Sequence, residues 1–169
     1  NTGSVSGNGH TVSGVYINNS SINQGLFGYV LEDGTIQNLG VINSYIRADE
    51  RVGGIVGYMA GSLTNSYNAG SVSNGARATV GGVAGCIYHS TVQNCYNTGS
   101  VSNSDYAGGV VGEVRESTVT NCYYLEGTAE TGIGVDDSGD GEATALTIAQ
   151  IEDTGTDGLL AKLSANIPA

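Results

Sequence analysis

Apolar residues along this chain come in short, mostly β-branched runs, broken every few residues by Gly or Asn, as at Ile55-Val56, Leu63-Thr64 and Val72. Runs of this length and composition predict strands rather than helices, which need apolar residues spaced three and four apart. The pattern also repeats. GGIVGYMAGSLTNSYNAGSVS from Gly53, GGVAGCIYHSTVQNCYNTGSVS from Gly81 and GGVVGEVRESTVTNCYYLEGT from Gly108 align almost without gaps. A divergent copy starts at Gln24, and a partial unit, GSVSGNGHTVSGVYI, starts at Gly3. Gly28, Gly57, Gly85 and Gly112 recur at spacings of 29, 28 and 27, and Asn38, Asn65, Asn94 and Asn121 at 27, 29 and 27. Several positions recur together while the residues between them vary, which marks a repeat architecture.

A repeat of this length holds about three strands of roughly 3–6 residues. If each unit is one coil, equivalent residues lie about 4.8 Å apart in the next coil, and about five coils make a rod on the order of 24 Å tall. Stacking then predicts columns. Ile36, Leu63, Val92 and Val119 form one buried apolar column, and Ile55, Val83 and Val110 another. Asn65, Asn94 and Asn121 form an amide ladder, with Tyr67, Tyr96 and Tyr123 stacked near it. Such ladders stabilise in-register β stacks. Gly57, Gly85 and Gly112 are expected at corners that need a positive φ or a close backbone approach. The expected fold is all-β: a right-handed parallel β-helix of about five coils with a short C-terminal helical cap, its hand taken from the general preference of parallel crossovers.

The motif Gly-apolar-apolar-Gly, present as GIVG at 54–57, GVAG at 82–85 and GVVG at 109–112, is followed by NSY or NCY and resembles the GLUG repeat of bacterial surface proteins. The resemblance covers residues 3–128. It implies a large secreted or cell-wall-anchored protein, among them adhesins, haemagglutinin-like proteins and immunoglobulin-cleaving peptidases in which the repeats are accessory. It implies no catalytic residues, because the motif contains none. In the copy at 25–46, Asn38 is followed by Leu-Gly and a second Asn-Ser-Tyr begins at Asn43, which leaves two registers open.

After Tyr124 the repeat fades, dividing the chain into solenoid repeats over 1–128 and an acidic loop with a helical capping segment over 129–169. Residues 127–145 read as a loop. Thr147 with Gln150 fits a capping box, and a second short helix near Asp157 places Leu159, Leu160 and Leu163 on an apolar stripe. Both helices are too short to stand alone and are expected to pack on the solenoid, protecting its last edge.

Charge narrows the function classes. The 169 residues carry sixteen Asp and Glu against five Lys and Arg, a net charge of −11. Arg47, Arg51, Arg77, Arg115 and Lys162 stand singly, a pattern opposed to nucleic-acid binding. No apolar run approaches the ~18 residues that insertion into a membrane requires. The first and last residues read as those of a piece of a larger protein.

Candidate chemistry is sparse. Asp49, Glu50, Asp105, Glu113 and Glu116 fall in variable turns without paired spacing and read as solvated charges rather than a glycosidase pair. His10 and His89 are far apart in the repeat. The run Asp136–Glu142 has the first half of a calcium loop, but Thr147 stands where a bidentate Glu belongs, so it reads as an acidic turn. Cys86, Cys95 and Cys122 match no zinc pattern. Cys95 and Cys122 replace Ser66 in register and read as buried free thiols, a disulfide between them being the alternative. Thr64, Gln93 and Thr120 break the flat threonine array of an ice-binding face. The chain is thus expected to be a non-enzymatic structural or adhesive module without catalytic, cofactor or metal residues. Its expected partners are a host glycan, an extracellular matrix protein and other domains of its parent. An accessory domain of a secreted peptidase or glycan-active enzyme is the alternative.

Overall fold

The computed structural model describes residues 3–75, 79–102 and 106–164. Its strands form three parallel walls wound around one axis. One wall has five strands: Phe27–Val30, Val56–Met59, Ala84–Tyr88, Val111–Arg115 and Ile133–Asp136. A second has four: Ile22–Gln24, Glu50–Gly53, Thr79–Gly81 and Tyr106–Gly108. The third and widest has twelve strands, with Ser4–Ser6, Thr35–Gln37, Ser62–Thr64, Thr91–Gln93 and the start of Thr118–Leu125 stacked in order. All pairings between coils are parallel, and each repeat is one coil of a β-solenoid.

The stack makes about four full turns rather than five, since the middle wall has four strands. The last coil passes from Leu125 to Ile133 through a turn instead of a strand. The unit from Gly3, which looks partial in sequence, is a full coil whose strands pair with every wall of the next. Beyond Gly127, Ile133–Asp136 and Gly141–Leu146 add strands to two walls, so coil pairing runs past the expected boundary to Leu146. The Gly- and Asp-rich composition that reads as loop supplies the tight turns between these strands.

The predicted columns are in register. Ile36, Leu63, Val92 and Val119 pair in sequence and are at most 2% exposed. The Ile55 amide donates to the Val83 carbonyl at 2.9 Å, and the Val83 amide to Val110 at 2.8 Å. Burying one such side chain stabilises the fold by roughly 1.5–3 kcal/mol. A narrow interior makes this possible. A Cβ on Gly82 would lie 2.3 Å from the Asn97 side chain, so the paired glycines leave room for the opposite wall.

Of the two roles expected of the spaced glycines, the close backbone approach is the one they fill, within strands rather than at corners. Gly57, Gly85 and Gly112 do not adopt positive φ; they lie against backbone, a Cβ on Gly85 falling 2.5 Å from Arg51 and Val52. At the corner of the amide ladder the left-handed turns belong to asparagines, with φ of 55° at Asn38, 50° at Asn65, 54° at Asn94 and 51° at Asn121, while Asp33, Arg51, His89 and Glu116 adopt the same region elsewhere. Asn tolerates this region because its short polar side chain bonds locally. Here it bonds upward: Asn94 Nδ2 donates to Asn65 Oδ1 at 3.0 Å, and Asn121 Nδ2 to Asn94 Oδ1 at 2.5 Å. Asn38 holds the equivalent place in the divergent copy, while Asn43 sits at a bulge between the strands Gly40–Ala48 and Tyr67–Asn74. Tyr67 and Tyr96 stack at 4.9 Å, over the space left by Gly40, but Tyr123 instead donates its hydroxyl to Asn121 Oδ1.

Both short helices form. Helix α1 (Ile148–Glu152) carries the Thr147–Gln150 capping box. Helix α2 (Leu159–Ser164) packs on the strand Thr118–Leu125 and on α1, with Leu159 buried and Leu160 exposed. Its Leu163 carbonyl accepts from Asn121 Nδ2 at 3.5 Å, so the helix closes the end of the amide ladder. No helix among the described residues is long and apolar enough to cross a membrane.

Candidate functional site: a groove on the five-strand wall

The residue after each of Gly28, Gly57, Gly85 and Gly112 points outward from the five-strand wall. In register these are Tyr29, Tyr58, Cys86 and Glu113. Two hollows adjoin where this face meets the four-strand wall, which supplies Glu50, Arg51, Thr79 and Tyr106 to their lining. One, of about 520 Å³, is lined by Arg51, Tyr58, Cys86, Tyr88, Arg115, Glu116 and Asp137. The other, of about 370 Å³, is lined by Glu50, Arg51, Thr79, Tyr106, Glu113, Arg115 and Val135. Arg51 and Arg115 line both, so the two hollows are one groove.

Each charged group in the groove has a partner. Arg51 meets Glu50 at 3.0 Å and lies 5.6 Å from the Tyr58 ring centroid. Arg115 binds Glu113 through two nitrogens and approaches Asp137 at 3.9 Å. His89 stands 3.5 Å from Glu116. Glu113 is almost buried, and the guanidinium beside it compensates the lost hydration of its carboxylate. Burial, then the Glu113 charge, pushes the Cys86 thiol up to about 12, so it is a neutral thiol and a poor nucleophile. Burial, then the neighbouring Cys86 and Tyr29, also raises the Tyr58 phenol.

Glu50, Glu113 and Glu116, which look scattered in sequence, thus meet in one groove, joined by Asp137. Aligning the coils reveals the place of Glu113, which follows Gly112 as Tyr58 follows Gly57 and Cys86 follows Gly85, all three lining the groove. Asp49 lies outside it, and Asp105 and Arg77 lie outside the described residues. His10 stands in the first coil, its Nδ1 3.0 Å from the Gly7 carbonyl, far from His89 in the stack. Gln37, Thr64, Gln93 and Thr120 form one mixed column, not a threonine array.

The remaining sequence candidates serve structure. The Asp136 carboxylate accepts from the amides of Ser138, Gly139 and Gly141 at 2.9–3.0 Å, closing the acidic turn on itself. Among the described residues no cluster of three or more His, Cys, Asp or Glu is placed to hold a metal ion. Cys95 and Cys122 are buried free thiols that donate to the carbonyls of Gln93 and Thr120, two residues back. Ser44, Ser66, Ser90 and Ser117 make the same bond after their own left-handed residues, so Ser and Cys are alternatives in one corner device. A second amide pair escapes sequence reasoning. Asn68 donates to Asn97 at 2.8 Å, fully buried between Val41 and Tyr124 in its column, and each bonds the backbone two residues on.

Halomucin from Haloquadratum walsbyi (strain DSM 16790 / HBSQ001) is 41% identical over 85 residues, which is 50% of this chain. The chain spans about 1% of the length of that relative. Among solved structures, a candidate immunoglobulin A1 protease from Bacteroides ovatus aligns with a TM-score of 0.48 and 14% identity, over 84% of this chain and 68% of that one. Residues 76–102 match the model of the GLUG motif, and the described part of that span, 79–102, lies in a coil stacked in register between two similar coils. The chain is a parallel β-solenoid, and one of its repeats, over residues 76–102, matches the GLUG motif.

Proposed function

We propose that this chain is a non-catalytic module of a secreted or cell-surface protein, and that its groove on the five-strand wall is a ligand-contacting surface. The GLUG motif and the similarity to halomucin support the surface setting. The single observation that carries the binding reading is the gathering of two of the chain's five basic residues, with three tyrosines, on one face of a molecule of net charge −11. The non-catalytic reading rests on the groove's carboxylates: Glu50, Glu113 and Asp137 stand against arginines and Glu116 against His89. A glycosidase needs one carboxylic acid kept protonated to serve as the general acid. The natural partners of such a face are a host glycan or a matrix protein, with the rest of the parent protein positioning the rod.

An array of glycans, mucins and matrix proteins, probed with the purified chain, tests this directly. Saturable binding that weakens in Arg115→Gln is the expected result. Absence of binding at high concentration would leave a spacer, and turnover of any array member would overturn the non-catalytic reading.

A further inference from the structure

The aromatic column on the five-strand wall stops abruptly. Tyr29 and Tyr58 stack with centroids 4.7 Å apart and planes 9° from parallel. The same register position in the next two coils holds Cys86 and then Glu113. A stacked ring covers one face of its neighbour, and a ladder passes that cover from coil to coil. Where the next coil offers a thiol instead of a ring, one rung is missing. The larger hollow of the groove lies there, with Tyr58 and Cys86 in its lining.

We propose that this missing rung is a binding subsite for one uncharged pyranose ring of a glycan. The proposal rests on the reading of the chain as a ligand-binding module and names the ligand class of the same groove. Three features select that class. The hollow offers an aromatic surface, on which the C–H face of a sugar packs and a polar ring cannot otherwise be desolvated cheaply. Beside the rings stand donors, at Arg115 and at Arg51, whose guanidinium lies over the Tyr58 ring, and acceptors, at Glu116 and Asp137. Sugar hydroxyls are donors and acceptors at once and suit such a mixed rim, whereas an apolar side chain of a peptide would strip water from these ion pairs without adding a bond to them. The charge balance selects neutrality. Glu50, Glu113, Glu116 and Asp137 outnumber the two arginines, so a sialylated or sulfated sugar meets a net negative groove. The coil spacing adds a direction: successive rungs rise ~4.8 Å, a step close to that of one residue in an extended glycan chain.

The test is calorimetric titration of neutral, sialylated and sulfated oligosaccharides into the intact chain and three variants. Cys86→Tyr restores the third rung and fills the subsite; it should weaken neutral-glycan binding roughly tenfold or more. Tyr58→Ala leaves the space open but removes its floor, and should lose as much if Cys86→Tyr fails to fold. Tyr29→Ala, outside the hollow, should stay within about twofold of the parent. Neutral glycans bound equally by all variants, or a preference for the anionic ones, would overturn this subsite while leaving a ligand-binding module in place. No binding to any glycan or matrix protein would overturn both.

Discussion

At the scale of the residue, the division of labour between Asn and Gly is the main finding. Asparagine takes the left-handed corner of the ladder in each coil and offsets part of the strain with an inter-coil amide bond, while the spaced glycines sit where backbone meets backbone. This separates two substitutions at one position. Asn94→Ala loses both ladder bonds and the short polar side chain that makes φ 54° tolerable, and should cost about 2 kcal/mol. Asn94→Gly loses the bonds but keeps the turn, and should cost about 1 kcal/mol. Chemical denaturation of the two variants checks the order, and equal losses would deny asparagine its conformational role. Asp136 supplies a pH dependence. Burial acts to raise its pKa, but the amides of Gly141, Gly139 and Ser138 outweigh it and hold the carboxyl below the usual value of 3.8. A depressed folded-state pKa contributes stability that is present above 3.8 and is lost as pH falls through the lower folded value. Asp136→Asn should therefore remove part of the acid sensitivity below pH 3.8, read as a flatter melting temperature against pH.

At the scale of the element, each strand is too short to persist alone and is held by its neighbours above and below. Gly85→Val tests this contact, since the new side chain would press on the Arg51–Val52 backbone of the preceding coil. A loss of about 3 kcal/mol is expected from such overpacking, and a variant that melts with the parent would contradict it. The helices are a second test. Truncation after Leu146 removes α1 and α2, uncovers the surface under Leu159 and takes the Leu163 carbonyl from the amide ladder. Lower melting and self-association on size exclusion are expected; a monomer of unchanged stability would mean that the helices do not cap the rod. What could be read in advance follows from what repeats. The columns at Leu63 and Asn94 were legible because every coil supplies a member. The Asn68–Asn97 pair was not, because Val41 and Tyr124 interrupt its column. The strands after Gly127 were hidden by Gly and Asp, which signal turns whether or not strands lie between them.

At the scale of the whole molecule, function depends on which turns the winding brings together. Glu50, Glu113 and Asp137 come from different coils, and their approach to Arg51 and Arg115 is a property of the stack rather than of any local motif. A chain of repeats can thus carry one non-repeating surface, where an outer column departs from its own pattern, as it does between Tyr58 and Glu113. That surface exists only if each repeat is one coil in register with the next. Nuclear Overhauser contacts between side chains of Leu63, Val92 and Val119 test this most directly. These residues are 29 and 27 positions apart in sequence, yet are paired neighbours in adjacent coils. Cross-peaks from Leu63 to Val92 and from Val92 to Val119 are predicted. Their absence, or contacts displaced by one residue that turn the alternate side chains inward, would contradict the solenoid and the groove built on it.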